Sequence, residues 1–194
     1  MASHYFLEDE TLKSDPQPFD YYFKSRKYTF VTDSGVFSAG EMDQNTALLL
    51  GQLPKLSGSL LDMGCGYGCI GIILASQYNL ELTQVDINPK AVRITLENCE
   101  LNRVKSNVFV SDCYSGIQGR FDTIVINPPI HAGKAVIYRM YDEAPEHLLE
   151  GGKLFVVILK KHGAESTIVK LREVFGNCEA IYREKGRYVL CCVK

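Results

Sequence analysis

Two short stretches carry residue types that could do chemistry. The first, Asn127-Pro128-Pro129-Ile130, directly follows an apolar run from Phe121 to Ile126. Proline fixes φ and has no N–H, so two in succession make a stiff loop with free carbonyls. The side-chain oxygen of Asn127 and the carbonyl of Pro128 could each accept a hydrogen from one planar, exocyclic amino group. Held in that way, the nitrogen lone pair is aimed at an electrophile. Positioning of this kind can lower a barrier by roughly 7–11 kcal/mol without a strong base. Read alone, the same residues are equally a strand-ending turn.

The second stretch, Asp62-Met63-Gly64-Cys65-Gly66-Tyr67-Gly68, also follows an apolar run. Glycines at 64, 66 and 68 remove Cβ atoms where the backbone must turn tightly and approach a ligand. An ordinary strand-to-helix turn has the same composition. A dinucleotide fingerprint competes as well: Gly66-Tyr67-Gly68-Cys69-Ile70-Gly71 fits it, with Asp86 about 20 residues beyond its start. Two features oppose that reading. Asp62 immediately precedes the turn, a poor neighbour for a pyrophosphate but an acceptable one for a cationic, amino-bearing ligand. The first core strand also comes late, at Ser59. Asp86 could accept both hydroxyl hydrogens of a ribose; its bland alternative is a helix cap. Asp112 could accept from an adenine amino group, or be a turn residue. Taken together, the two stretches point to transfer of a methyl group to nitrogen.

The elements that must position these residues are legible from Leu60 onward, where strands and helices alternate. Ser59 to Asp62 reads as a strand and Cys69 to Tyr78 as a helix. Leu80 to Val85 is a strand ending at Asp86. Asn88 caps the next helix, with Pro89 at its first position and an end near Leu101. Strands follow at Asn107 to Val110 and Phe121 to Ile126. Lys134 to Leu149 has a helical pattern, with Gly151-Gly152 as its stop. Leu154 to Leu159 is a strand, Ala164 to Phe175 a helix, and Cys178 to Tyr182 and Tyr188 to Val193 are strands joined at Glu184-Lys185-Gly186. Continuous apolar strands between helices imply a parallel sheet covered on both faces. The final pair has no room for a crossover helix and should be antiparallel. The fold class is therefore α/β, a doubly wound, mostly parallel sheet with a terminal hairpin. Its ligand should lie outside the carboxyl ends of the strands, where Asp62, Asp86, Asp112 and Asn127 all fall. Residues 1–58 form an N-terminal extension: a hairpin (Phe19 to Phe23 and Tyr28 to Thr32), a loop at Ser34 to Ser38, and a helix from Asp43 to Leu53 capped by Asp43 or Asn45. Residues 59–194 form the ligand-binding domain.

Bulk properties narrow the function classes. Of the 194 residues, 46% are apolar, enough for a core and against disorder. The formal net charge of −2 and pI near 6.1 predict no broad field drawing in nucleic acid. Any such contact falls to local clusters: Lys24-Arg26-Lys27, Lys160-Lys161-His162 and Arg183-Lys185-Arg187. Each alone is an ordinary solvated face; on one shared rim they could bind phosphates. Seven scattered cysteines without a Cys-x-x-Cys pair suit reduced cytoplasmic thiols rather than disulfides or zinc. His131 has no second His or Cys at ligand spacing, so a metal role is disfavoured. The polar N-terminus is not a signal peptide, and no apolar run approaches the ~20 residues of a membrane span.

These residues resemble the class I S-adenosylmethionine-dependent methyltransferases, whose motifs occur in the same order from about Ser34 onward. The chain looks closest to the ribosomal RNA guanine-N2 methyltransferases of the small subunit, in a single-domain form. Asp33-Ser34-Gly35-Val36-Phe37-Ser38, Asn127 to Lys134 and Lys160-Lys161-His162-Gly163-Ala164 carry the more specific match. The resemblance implies a Rossmann-like, seven-stranded sheet with an antiparallel last strand. It implies S-adenosylmethionine as cofactor, S-adenosylhomocysteine as product, and ribosomal RNA, within the small subunit or an assembly intermediate, as partner. The implied cofactor set is Asp62, Gly64, Cys65, Gly66 and Gly68 around the methionine portion, Asp86 and Ile87 at the ribose, Asp112 and Cys113 at the adenine, and Asn127. The implied catalytic set is Asn127, Pro128, Pro129 and Ile130. Phe37, His131 and Lys134 are candidate substrate residues. Many amino-methylating relatives have an aromatic residue where this chain has Ile130, so base stacking would fall to Phe37, His131 or another residue, or the target is not a base. A protein glutamine amide, which needs less stacking, and the adenine amino group are the alternative targets. A non-catalytic module and an NAD-dependent reductase are the alternative classes. A membrane or metal partner is not expected, and a monomer is slightly favoured.

Overall fold

The computed structural model of the chain describes residues 14–36 and 40–194, so the candidate Phe37 lies outside the described residues. A hairpin comes first, β1 (Gln17–Phe23) and β2 (Arg26–Thr32), then α1 (Gln44–Gln52). The alternating units follow: β3 (Ser59–Met63), α2 (Cys69–Tyr78), β4 (Glu81–Asp86), α3 (Pro89–Asn102), β5 (Asn107–Val110) and β6 (Phe121–Ile126). The remainder is α4 (Lys134–Glu143), β7 (Leu148–Leu159), α5 (Ala164–Phe175), β8 (Glu179–Glu184) and β9 (Arg187–Val193).

Seven strands form one sheet in the order β5-β4-β3-β6-β7-β9-β8. Pairs from β5 across to β7 are parallel, and β9 runs antiparallel to both β7 and β8. Successive residues of the central strands serve opposite faces, as the pleat requires. Leu60 and Val125 join one core with α1, α2, α3 and the hairpin. Leu61, Ile124 and Ile126 join another with α4 and α5. The expected doubly wound sheet with its terminal hairpin is present, and Lys185 and Gly186, both at positive φ, make the tight turn between β8 and β9.

The strand order fixes the site. From β3 the chain moves outward to β4 and β5, then returns to the other side of β3 as β6. A crevice opens at such a reversal, outside the carboxyl ends of the two strands. Met63 pairs with Ile126 across it. The residues that come next, Gly64 and Asn127, therefore leave the sheet side by side.

The N-terminal hairpin docks by an arrangement that no local pattern signals. Tyr28 and Phe30 are fully buried, and Phe30 meets Tyr67 edge-on with ring centres 5.7 Å apart. The free edge of β2 is paired by two asparagines one helical turn apart on α3. Asn98 accepts from the Val31 amide at 2.7 Å and donates to the Val31 carbonyl at 2.9 Å. Asn102 accepts from the Thr29 amide at 3.1 Å and donates to the Thr29 carbonyl at 2.8 Å. A carboxamide carries one donor side and one acceptor side, as a peptide group does. The helix thus supplies what a third strand would.

One expected element is corrected. The helix predicted over Lys134 to Leu149 ends at Glu143, passes through a 3-10 turn at Ala144–His147, and gives way to β7 at Leu148. Pro145 cannot donate to the helix, and its ring would press on the carbonyl four residues back. Gly151-Gly152 is not a helix stop but an irregularity inside β7, where pairing jumps from Phe121–Leu148 to Thr123–Lys153. A Cβ on Gly152 would lie 2.8 Å from the Leu149 carbonyl oxygen.

Of the three basic clusters, two share a rim. Lys160–His162 lies at the carboxyl end of β7, where the Lys160 amide bonds the Gly186 carbonyl at 2.7 Å, beside the start of β9 at Arg187. The third is at the opposite end of the molecule. There Lys24 bonds the Tyr78 hydroxyl at the end of α2, and Arg26 bonds the Asn102 carbonyl at the end of α3.

Candidate active site

A cavity of about 380 Å³ opens at the carboxyl ends of β3, β4, β5 and β6, within the ordinary size range of a small-molecule site. Gly64 and Cys65 form its floor, and both amides donate to the Val85 carbonyl at 2.9 Å. This pins the start of the glycine loop to β4. Gly64, Gly66 and Gly68 all have positive φ. At Gly68 a side chain is also excluded by packing, since a Cβ would lie 2.7 Å from Thr95 Cγ2. The loop is clamped from α3 by Thr95, whose hydroxyl donates to the Gly66 carbonyl at 2.9 Å, and by Asn98, which donates to the Tyr67 carbonyl at 2.8 Å.

Asp62 lies beneath the loop rather than in the cavity. Its Oδ2 accepts from the Gly71 amide at 2.9 Å and from Gln84 Nε2 at 3.0 Å, and the side chain is buried. Burial pushes its carboxyl up to about 6, against the pull of those two bonds. Asp62 is a brace for the loop, which corrects its expected place among the ligand-facing residues. Gly68 likewise shapes the loop without lining the cavity. Lys134 does not reach the cavity either; its Nζ sits 4.9 Å from the centre of the Tyr138 ring.

Asp86 lines the cavity. At the end of β4 its two oxygens accept from the Gly66 amide and the Asn88 amide, each at 2.9 Å. Burial raises its carboxyl above the usual range. Ile87 and Asn88 continue the wall, and Asn88 caps α3 by accepting from the Lys90 amide at 2.9 Å. Beyond β5, Asp112 lines the cavity with one oxygen paired to Arg139 at 2.6 Å. Cys113 follows it at positive φ, and burial raises its thiol.

The opposite wall is Asn127 to His131. Pro128 is buried, and the chain turns through a short 3-10 segment at Ile130–Ala132. Ile130, His131, Val136 and Met140 complete this side. Asn127 Nδ2 donates to Thr46 Oγ1 at 3.0 Å and to Asp43 Oδ2 at 3.3 Å. A carboxylate only accepts, so the amide nitrogen must face Asp43 and the amide oxygen must face away from α1. The side-chain oxygen that the sequence marks as an acceptor is therefore held in one orientation.

Twelve expected site residues come together here: Gly64, Cys65, Gly66, Asp86, Ile87, Asp112, Cys113, Asn127, Pro128, Pro129, Ile130 and His131. Sequence reasoning missed Asp43, Thr46, Ser111, Met140 and His162, which also line the cavity. Asp43 was legible only as a helix cap, and its contact with Asn127 spans 84 positions in the chain.

The lining decides between the two nucleotide readings. Among the described residues it contains three aspartates and neither lysine nor arginine. The Gly66 amide, which a dinucleotide would need for its pyrophosphate, donates to Asp86 instead. An acceptor-rich, anionic cavity with apolar walls fits a cationic ligand bearing hydroxyl and amino donors. It does not fit a diphosphate.

A family model described as the methyltransferase small domain matches residues 27–191. The chain is 38% identical over 196 residues to the uncharacterized protein YbxB of Bacillus subtilis, covering 98% of each. It is 44% identical over 128 residues to the ribosomal RNA small subunit methyltransferase C of Aeromonas hydrophila, covering 63% of this chain and 37% of that one. Among solved structures, the Thermus thermophilus 16S rRNA N2 G1207 methyltransferase in complex with AdoMet and guanosine superposes with a TM-score of 0.82 at 28% identity. That match covers 94% of this chain and 51% of the other. The chain thus spans about half or less of the length of these two methyltransferases.

Proposed function

The chain belongs to the methyltransferase small domain family, and we propose that it transfers a methyl group from S-adenosylmethionine to the 2-amino group of a guanine in small-subunit ribosomal RNA. The observation that carries this reading is the side-by-side exit of Gly64 and Asn127 from paired strands. The glycine loop and the amino-gripping loop thereby share one cavity. When bound, S-adenosylmethionine supplies an electrophilic methyl and leaves as S-adenosylhomocysteine, with the S–C electron pair retained on sulfur.

The residues divide the work. Gly64, Cys65 and Gly66 let the backbone approach the amino-acid portion closely. Asp86 accepts from the ribose hydroxyls, and Asp112 and Cys113 border the adenine. Asn127 Oδ1 and the Pro128 carbonyl accept the two hydrogens of the target amino group and turn its lone pair toward the methyl. Neither acceptor is basic, so the proton released after N-methylation passes to water. Positioning is the main device, and it is effective because Pro128, Pro129 and the bonds from Asn127 to α1 leave little to reorganise. The cationic rim of Lys160, Lys161 and Arg187 is available to RNA phosphates despite the acidic pI. A ribosomal substrate places the reaction in the cytoplasm.

Labelled methyl transfer to unmodified small ribosomal subunits, beside naked rRNA and a protein fraction, tests the reading. Label in guanosine after RNA digestion is the expected result; label only in protein would move the activity to a glutamine amide. Asn127→Ala should abolish turnover with cofactor affinity nearly intact, and surviving turnover would refute the role given to Asn127.

A further inference from the structure

We infer that Asp43 is the specificity residue that selects guanine, by accepting the hydrogen on ring nitrogen N1 next to the methylated amino group. The inference rests on the function proposed above and deepens it.

Asp43 caps α1 and lines the cavity beside Asn127. Among the described residues its hydrogen bonds fall on one oxygen. Oδ2 accepts from the Asn45 amide at 3.0 Å, the Thr46 amide at 2.9 Å, the Thr46 hydroxyl at 3.3 Å and Asn127 Nδ2 at 3.3 Å. Oδ1 has no hydrogen-bond partner among the described residues. A carboxylate whose Oδ2 is held this firmly cannot turn freely, so the two oxygens have separate duties.

The edge of guanine that carries the 2-amino group offers three donors, two on N2 and one on N1. The site offers three acceptors in one neighbourhood: Asn127 Oδ1, the Pro128 carbonyl and Asp43 Oδ1. Other amino groups of similar shape lack this match. Beside its amino group, adenine has a ring-nitrogen lone pair, cytosine likewise, and a glutamine amide has its carbonyl oxygen. Each would place acceptor against acceptor at Asp43, a buried mismatch that sites built on hydrogen bonding reject strongly. The same contact explains how the loop could act without an aromatic residue at Ile130, because the carboxylate supplies orientation that stacking would otherwise give.

The test is Asp43→Asn in the full chain. Asparagine caps helices about as well as aspartate. Its oxygen must take the Oδ2 position to accept the Asn45 and Thr46 amides, which leaves an NH₂ donor where Oδ1 was. The probes are guanosine and 2-aminopurine riboside, which keeps the 2-amino group but has an acceptor at N1. Binding of each is measured to protein saturated with S-adenosylhomocysteine. The wild type should prefer guanosine by about tenfold or more, the scale of one good base-edge contact. Asp43→Asn should lose or reverse that preference, lower transfer to guanosine in small subunits, and leave S-adenosylhomocysteine affinity and the melting temperature unchanged. Retention of the wild-type preference by Asp43→Asn would overturn the inference, even where the wild type labels guanosine and the proposed function stands. Label from the wild type in protein alone would overturn the proposed function and the inference with it.

Discussion

Replacing Asp62 by asparagine should change how stability depends on pH, and the size of the change follows from the carboxylate's surroundings. Asp62 is 1% exposed, and its Oδ2 is held by the Gly71 amide and Gln84 Nε2. Burial outweighs these two bonds, and the nearby Asp86 charge adds to it, so the carboxyl rises from 3.8 to about 6. A raised acid holds its proton more tightly in the folded state than in the unfolded one. Well below the unfolded value of 3.8 both states are protonated and nothing is lost. Between about 4 and 6 the unfolded chain ionises first, and stability falls as pH rises. Above about 6 the full cost is present, roughly 3 kcal/mol for a rise of this size. Asparagine can accept the same two bonds and does not ionise. Urea unfolding of the wild type and Asp62→Asn across this range, taken as a difference, cancels the other titrating groups. The variant should gain on the wild type by roughly 2–2.5 kcal/mol between pH 4 and pH 7. A difference that stays flat would refute the burial argument. Because Asp62 does not line the cavity, affinity for S-adenosylmethionine at neutral pH should change less than about tenfold, or 1.4 kcal/mol; a larger loss would return Asp62 to the ligand-binding set.

Two further outcomes test the site and its support. Asp86→Ala should weaken S-adenosylmethionine binding by roughly 10- to 100-fold, the worth of a charge-assisted hydrogen bond, in equilibrium dialysis or calorimetry; unchanged affinity would remove Asp86 from the ribose. Asn98→Ala should destabilise the protein by roughly 2–4 kcal/mol in urea, since it strands the Val31 amide and the Val31 and Tyr67 carbonyls. Hydrogen exchange at the Val31 amide should accelerate, and unaltered protection there would show that β2 does not depend on α3.

Much of the fold was legible because its signals are local. Cys69–Tyr78, Asn107–Val110, Phe121–Ile126 and Ala164–Phe175 have the boundaries that apolar runs and turn residues indicate. Asn88 and Asp43 cap their helices because a short side chain can reach an amide two or three positions ahead. The helix over Lys134 to Leu149 misled because its apolar spacing continues past Pro145, and the missing N–H outweighs periodicity at that point. Asp62 misled because a carboxylate before a glycine loop reads the same whether it faces a ligand or the protein's own amides.

By itself, the sequence determined the alternation of strands and helices, the glycine loop, and the placing of Asp86, Asp112 and Asn127 at strand ends. Those properties depend on backbone dihedrals and burial patterns within a few residues of each position. Only the tertiary structure decided that β3 and β6 are neighbours, that Asn98 and Asn102 stand in for a strand beside β2, and that Asp43 holds Asn127 from 84 positions away. Such contacts are set by how packed layers bring distant backbone and side-chain groups within hydrogen-bonding reach. No periodicity along the chain encodes that distance.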